Sequence, residues 1–448
     1  MDVEKKTGVI ETSSDTPSST QGAKSALRFM GPGFLVAAAF IGPGTVNTAV
    51  KAGGSFGFQL LWAVLFAGLA TVIFQEMAAR LGLVTQKGLA ESIKEYFVNS
   101  RLSQISVGLV IAAIVFGNTA YQAGNLSGAA KGLHHFLPFV PLQAWLFLSS
   151  AIAFFLIWTG TLKSLKIVLM SMVVVMSMTF LIAAINSRPD FPELLSGCFS
   201  FDIPRFNIGI LIAIIGTTVV PYNLFLHSSS IAEQTAGLKV DFNDAETESA
   251  IYQNREPPGE PTELDQALAG VRLDTLVAVW VGAFVTAAIL ITAAGTTALT
   301  LDEAADSLSG FIGGFGKGLF FVGLFAAGLT SAITAPLAAG YVFAGCFGHP
   351  AKADAIPVRR VAGGIVVVGY LVAACFGNSP EQVIFLAQVA NGFVLPLVAV
   401  FLLIVMNSKK LLGPYRNHWR QNLFGGLVVV FVVSLGGYQL GKLFGMFN

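Results

Sequence analysis

The sequence predicts an all-α polytopic membrane protein with eleven transmembrane helices, the first and sixth of them broken. Of the 448 residues 54% are hydrophobic and only 11% charged, a balance outside that of soluble domains. Apolar segments that approach or exceed the roughly 20 residues needed to cross hydrocarbon follow one another through most of the chain. Two of them carry helix breakers at mid-length, Gly42-Pro43-Gly44-Thr45 and Gly216 to Pro221-Tyr222-Asn223, where proline lacks an amide hydrogen and glycine favours non-helical backbone. Irregular backbone at membrane depth persists only where protein or a wet cavity satisfies it. Both breaks are therefore expected to line a solute site, and their separation by about five segments is that of the two halves of an inverted-repeat transporter.

Residues 1–25 are rich in Ser, Thr, Lys and Glu and are expected to be a disordered tail, not a signal peptide. The transporter domain, 26–448, then holds apolar segments at about 31–54, 58–82, 104–133, 137–159, 164–185, 206–234, 272–295, 310–346, 360–377, 382–406 and 421–444. The first repeat covers about 31–185 and the second about 206–406, with the eleventh helix outside both. With the N-terminus inside, the outer loops and ends keep only Lys51, Lys131, Arg188, Arg205, Lys317 and Lys442 of the 26 Lys and Arg. That asymmetry predicts a cytoplasmic N-terminus and supports the count of spans. The polar stretch 236–270, with Asp241, Glu248, Glu256, Glu263 and Asp265 around Pro257, Pro258 and Pro261, reads as an acidic cytoplasmic linker. Gly310 to Gly318 lacks the Lys-Ser/Thr ending of a phosphate loop and reads as close helix packing.

Polar side chains inside spans are costly and mark candidate functional positions. The third span carries Asn118, Gln122 and Asn125, and the tenth carries Gln388 and Asn391 at the same three-residue spacing as Gln122 and Asn125, followed by Pro396. Each pair shares a helix face and reads either as site lining or as hydrogen-bonded glue between helices. Glu76 lies four residues before Arg80 and is expected to form an interfacial ion pair, and Lys51 is placed to snorkel. His227, one turn beyond the second break, reads as a proton carrier or a buried packing residue. Cys198, Cys346 and Cys375 are too far apart to suggest a disulfide framework or metal cluster. No nucleophile with a base, no cofactor motif and no basic stripe for nucleic acid is legible, so the expected partners are the lipid bilayer and a small solute or metal ion.

At the first break the sequence resembles the NRAMP (natural resistance-associated macrophage protein) family of divalent metal transporters. The family's Asp-Pro-Gly-Asn turn and following Ala-Gly pair read here as Gly42-Pro43-Gly44-Thr45 and Ala52-Gly53. The likeness continues through Ala78 to Gly82. In the sixth span the family's Met-Pro-His-Asn and Leu-His-Ser appear as Val220-Pro221-Tyr222-Asn223 and Leu226-His227-Ser228. Gly328-Leu329-Thr330-Ser331, Leu337 to Gly340 and Gln388-Val389 complete it. The resemblance implies a LeuT-like (APC-type) fold of five plus five inverted spans with one more, alternating access, and a central site at Gly42, Thr45, Thr217, Val220, Tyr222 and Gln388. It places the proton path at Gln122, Asn125 and His227.

The residues that do the family's chemistry are the ones that differ. Its metal-binding aspartate falls on Gly42, its asparagine on Thr45, its methionine on Val220, its carbonyl-donating alanine on Thr217, and its third-span acids on Gln122 and Asn125. A carboxylate with a thioether suits manganese or iron, and neither ligand remains. The expectation is a secondary transporter of a small solute, by family a divalent metal ion, with either a hydrated ion such as magnesium, which gives up water reluctantly, or a changed substrate. The alternatives are a transporter of a small organic solute or amino acid, and a membrane sensor or scaffold that keeps the fold without transport. The protein is expected to be a multi-pass integral membrane protein, in the cytoplasmic membrane if the source is prokaryotic.

Overall fold

The computed structural model describes residues 32–98, 102–201, 208–238, 263–296, 298–375 and 380–443, and the tail at 1–25 and most of the acidic linker lie outside them. Among the described residues there is no strand. Nine helices among the described residues are long and apolar enough to cross a bilayer, or eleven spans if each of two bent pairs counts as one.

The first span is split into α1 (Pro32–Phe40) and α2 (Pro43–Phe56), which meet at 53°. Only Ile41 and Gly42 leave the helix. Gly42 is extended and Pro43 opens α2 at a position whose amide hydrogen has no helical acceptor anyway. The interruption is thus narrower than the four-residue turn expected from sequence, because Gly44 and Thr45 already belong to α2. After α3 (Leu61–Thr85) comes the short α4 (Leu89–Tyr96). The third span is α5 (Leu102–Ile111), a π-helical turn (Ala112–Phe116) and α6 (Gly117–His134). The fourth and fifth spans are α7 (Leu142–Thr159) and α8 (Leu162–Asn186), followed by the short α9 (Phe191–Phe199).

The sixth span comprises α10 (Ile208–Thr218) and α11 (Pro221–Gln234). It bends less than the first, and only Val219 and Val220 are non-helical within the stretch expected to unwind. Then come α12 (Glu263–Ala294), α13 (Leu301–Ile312), α14 (Phe315–Phe347), α15 (Ile356–Cys375), α16 (Pro380–Met406), the short α17 (Lys409–Leu412) and α18 (Trp419–Leu443). Residues 263–270, assigned to the linker from their polarity, form the first turns of α12. The glycines at 310–318 pack closely only at Gly316, whose side-chain direction faces the Leu308 and Ser309 backbone. Gly310, Gly313 and Gly314 face open space, and Gly313 takes φ +73° in the turn between α13 and α14.

The two broken spans form the centre. Every residue of α10 is buried and the first span is buried along nearly its whole length. The seventh span packs against both halves of the first, the eighth against the third, and α10 against the tenth. Outward faces carry Phe147, Phe155, Ile167, Met178, Phe284 and Val430, all exposed, as a lipid-facing surface requires. Close approach inside depends on absent side chains: a Cβ on Gly53 would strike the Leu290–Ala294 backbone and one on Gly328 the Ala129 backbone.

The expected Glu76–Arg80 pair is present at 3.2 Å, within a larger network. Arg80, 4% exposed, donates to Tyr415 O at 2.9 Å and to Asn417 Oδ1 at 2.8 Å, while Arg272 reaches Glu76 at 3.0 Å. Lys51 sits 4.8 Å from the centre of the Phe385 ring.

Candidate functional site

The ends of α1 and α10 leave carbonyls without helical donors, and the structure closes several of them with hydroxyls. Ala39 O accepts from Tyr222 Oη at 2.9 Å and from Ser331 Oγ at 3.1 Å, which occupies both its lone pairs. Thr45 Oγ1 donates to Phe40 O. The Thr45 proton being so used, Thr217 Oγ1 donates to Thr45 Oγ1 at 2.7 Å. Thr71 Oγ1, from the second span, bonds to Ala67 O at 2.7 Å and lies 3.2 Å from Thr218 O. A chain of hydroxyls thereby joins the two breaks. By contrast, the N-termini of α2 and α11 have no side-chain cap.

The structure brings the expected site residues together. Gly42, Thr45, Thr217, Val220, Tyr222 and Gln388 are all buried. Gly44 faces Gln388 Nε2 so closely that a Cβ there would overlap it. A Cβ on Gly42 would lie 2.5 Å from Ser331 Oγ and 3.4 Å from Tyr121 Oη. The side-chain space at Gly42 is therefore taken by the Ser331 hydroxyl, with the Tyr121 hydroxyl in contact beside it. Tyr121, its ring 5.6 Å from that of Tyr222, and Ser331 are site residues that sequence reasoning missed. The available signals were the adjacency of Tyr121 to Gln122 and the place of Ser331 in the eighth-span motif.

The expected proton-path residues are spread around this centre. His227 is fully buried with Nδ1 3.0 Å from Gln75 Oε1, so α11 is tied to the second span. Gln122 Nε2 and Asn118 Nδ2 reach the eighth span, donating to Ala332 O at 3.0 Å and Ala335 O at 2.7 Å. Asn125 is buried one turn further along α6. The oxygens Gln388 Oε1, Gln122 Oε1 and Asn223 Oδ1 are buried without a hydrogen bond. Among the described residues no three His, Cys, Asp or Glu side chains are grouped to hold a metal ion. The centre offers neutral hydroxyl, amide and carbonyl groups.

The family model for natural resistance-associated macrophage protein-like chains matches residues 33–442. The chain belongs to the Nramp family. Relatives include the divalent metal cation transporter MntH of Aeromonas hydrophila, 28% identical over 431 residues covering 92% of this chain and 95% of the relative. MntH of Yersinia enterocolitica is 28% identical over 442 residues, 96% and 98% of the two chains. Among solved structures, a manganese transporter of Eremococcus coleocola superposes with a TM-score of 0.76 at 21% identity, covering 95% of this Nramp protein and 88% of the transporter. MhsT in complex with L-phenylalanine superposes with a TM-score of 0.56 at 16% identity, covering 90% and 98%. The expected LeuT-like fold is the one observed, and the protein is a multi-pass membrane transporter of the Nramp family.

Proposed function

We propose that this Nramp protein carries a divalent cation with its water shell largely kept, by alternating access between the first and sixth spans, with its N-terminus in the cytoplasm. Support for the cargo class comes from the MntH relatives. The observation that carries the finer reading is the neutral oxygen lining: Ser331 Oγ lies where a Cβ on Gly42 would point, with Tyr121 Oη in contact beside it. A bare dication there would keep its charge uncompensated in a low dielectric. A hydrated one presents only O–H donors, which the free lone pairs of Gln388 Oε1 and the Thr45 and Thr217 hydroxyls can accept. Val220 shapes the wall, and Tyr222 holds the end of α1.

A second reading, transport of a small organic solute or amino acid, is favoured by the uncapped starts of α2 and α11 together with the saturated Ala39 carbonyl. Helix starts attract a carboxylate, and closing the carbonyls weakens the attraction for cations. Proteoliposome uptake of magnesium, manganese, bicarbonate and amino acids separates the readings. Saturable magnesium uptake with little manganese uptake supports the first. Amino-acid or bicarbonate flux alone supports the second, and no flux of any solute favours the sensor or scaffold.

A further inference from the structure

The eighth span contains Pro336 within an otherwise continuous helix. Proline has no amide hydrogen, so the carbonyl four residues earlier, Ala332 O, loses its helical donor. Gln122 Nε2 supplies one at 3.0 Å, and Asn118, one turn away on the same face of α6, donates to Ala335 O at 2.7 Å. Two third-span amides thus staple α6 to α14 across the proline.

The chemistry of the donor matters. An amide always presents N–H groups, whereas a carboxylic acid donates only while protonated, and as a carboxylate accepts only and repels a carbonyl oxygen. On the fifth and sixth spans, which also pack against α14, the titratable groups Lys166, His227 and Glu233 are engaged elsewhere: Lys166 bonds to Gln234, His227 to Gln75, and Glu233 accepts from Tyr341 Oη. Residues 117–130 of α6, 318–347 of α14, 361–375 of α15, 382–406 of α16 and 142–159 of α7 include no Asp, Glu, His, Lys or Arg. Their titratable groups are Tyr121, Tyr341, Tyr370, Cys346 and Cys375.

We propose that Gln122 is a positioning residue whose amide permanently caps the carbonyl freed by Pro336, holding the third and eighth spans in an arrangement that an acid at 122 supports only when protonated. The transport cycle is thereby independent of proton binding at this position. The uptake arm of the test rests on the transport function proposed above, while the stability arm does not.

The full-length protein in nanodiscs is melted at pH values from about 5.5 to about 8.5 as wild type, Gln122→Glu and Gln122→Leu, and magnesium uptake is followed in proteoliposomes over the same range. The expected result for Gln122→Glu, measured relative to wild type, is a Tm and rate close to wild type at the acidic end that fall together toward the alkaline end. Gln122→Leu is expected to be impaired at both ends. A Gln122→Glu profile parallel to wild type, or one equally impaired throughout, overturns the proposal. A Pro336→Ala background restores the missing N–H, so the Tm loss caused by Gln122→Leu should shrink there. An undiminished loss also overturns it. A wild type that fails to move magnesium but shows the expected Tm profiles counts against the proposed cargo and leaves the positioning role supported.

Discussion

Refitting the site for a dehydrated transition metal requires more than restoring its ligands. Gly42→Asp, Thr45→Asn and Val220→Met together place a carboxylate and a thioether at the two breaks, a donor set suited to manganese. At about 4 Å and an effective dielectric near 20, one carboxylate attracts a dication by roughly 8 kcal/mol. Desolvation removes several of these, and a net gain of about 4 kcal/mol is roughly a thousandfold in affinity. The structure sets a cost against that gain. The new Cβ would lie 2.5 Å from Ser331 Oγ, and overpacking of this kind costs about 1–3 kcal/mol. The triple variant is therefore expected to gain about ten- to a hundredfold in manganese affinity, and the quadruple variant with Ser331→Ala the larger part of the thousandfold. Isothermal titration of manganese into nanodiscs, with calcium as the control, measures both. Equal affinities for the triple and quadruple variants refute the steric argument. No manganese binding in either refutes the placement of these positions at the site.

Gly33→Ala should destabilise the protein by about 1–3 kcal/mol, measured by Tm, because its Cβ would lie 2.7 Å from Asp274 O and 2.9 Å from Asp274 Oδ2, where the Gly33 amide donates at 2.6 Å. Arg80→Lys should loosen the connection between α16 and α18. Lysine cannot reach Tyr415 O, Asn417 Oδ1 and Glu76 together, so protease cutting near residue 415 should rise while α3 stays protected. Outside the membrane, burial holds the Glu91 carboxyl above its ordinary 4.5, while its hydrogen bond from Gly88 N at 2.9 Å acts in the opposite direction. The folded protein therefore binds the proton more tightly than the unfolded chain, and the Glu91 contribution to stability falls as pH rises from 4.5 through the raised folded value. Glu91→Gln should remove that slope, read by hydrogen exchange in α4.

The breaks were legible because Pro43 and Pro221 are covalent facts, whereas their extent was not. Proline is as good a first residue of a helix as it is an interruption, so Gly44 and Thr45 fall inside α2 where the sequence suggested an open turn. The Glu76–Arg80 pair could be read from a spacing of four. Its partners Tyr415 and Asn417 could not, being over 300 residues away and joined only by packing. The absence of acidic side chains at Gly42, Gln122 and Asn125 could be read directly. Their surroundings were visible only in three dimensions: Ser331 Oγ lies where a Cβ on Gly42 would point, and Gln122 acquires a task from a proline in another helix. The linker boundary failed because Glu263 and Asp265 are polar on composition yet favourable in the first turn of a helix.

The central claim is that the space between α1, α2 and the α10–α11 break holds no fixed negative charge and no soft ligand for a dehydrated transition metal. Anomalous diffraction at the manganese edge, from crystals of the wild-type protein soaked in millimolar manganese, tests it directly. The account predicts no peak between Gly42, Thr217 and Val220. An ordered manganese ion there, bonded directly to protein oxygens, would contradict it.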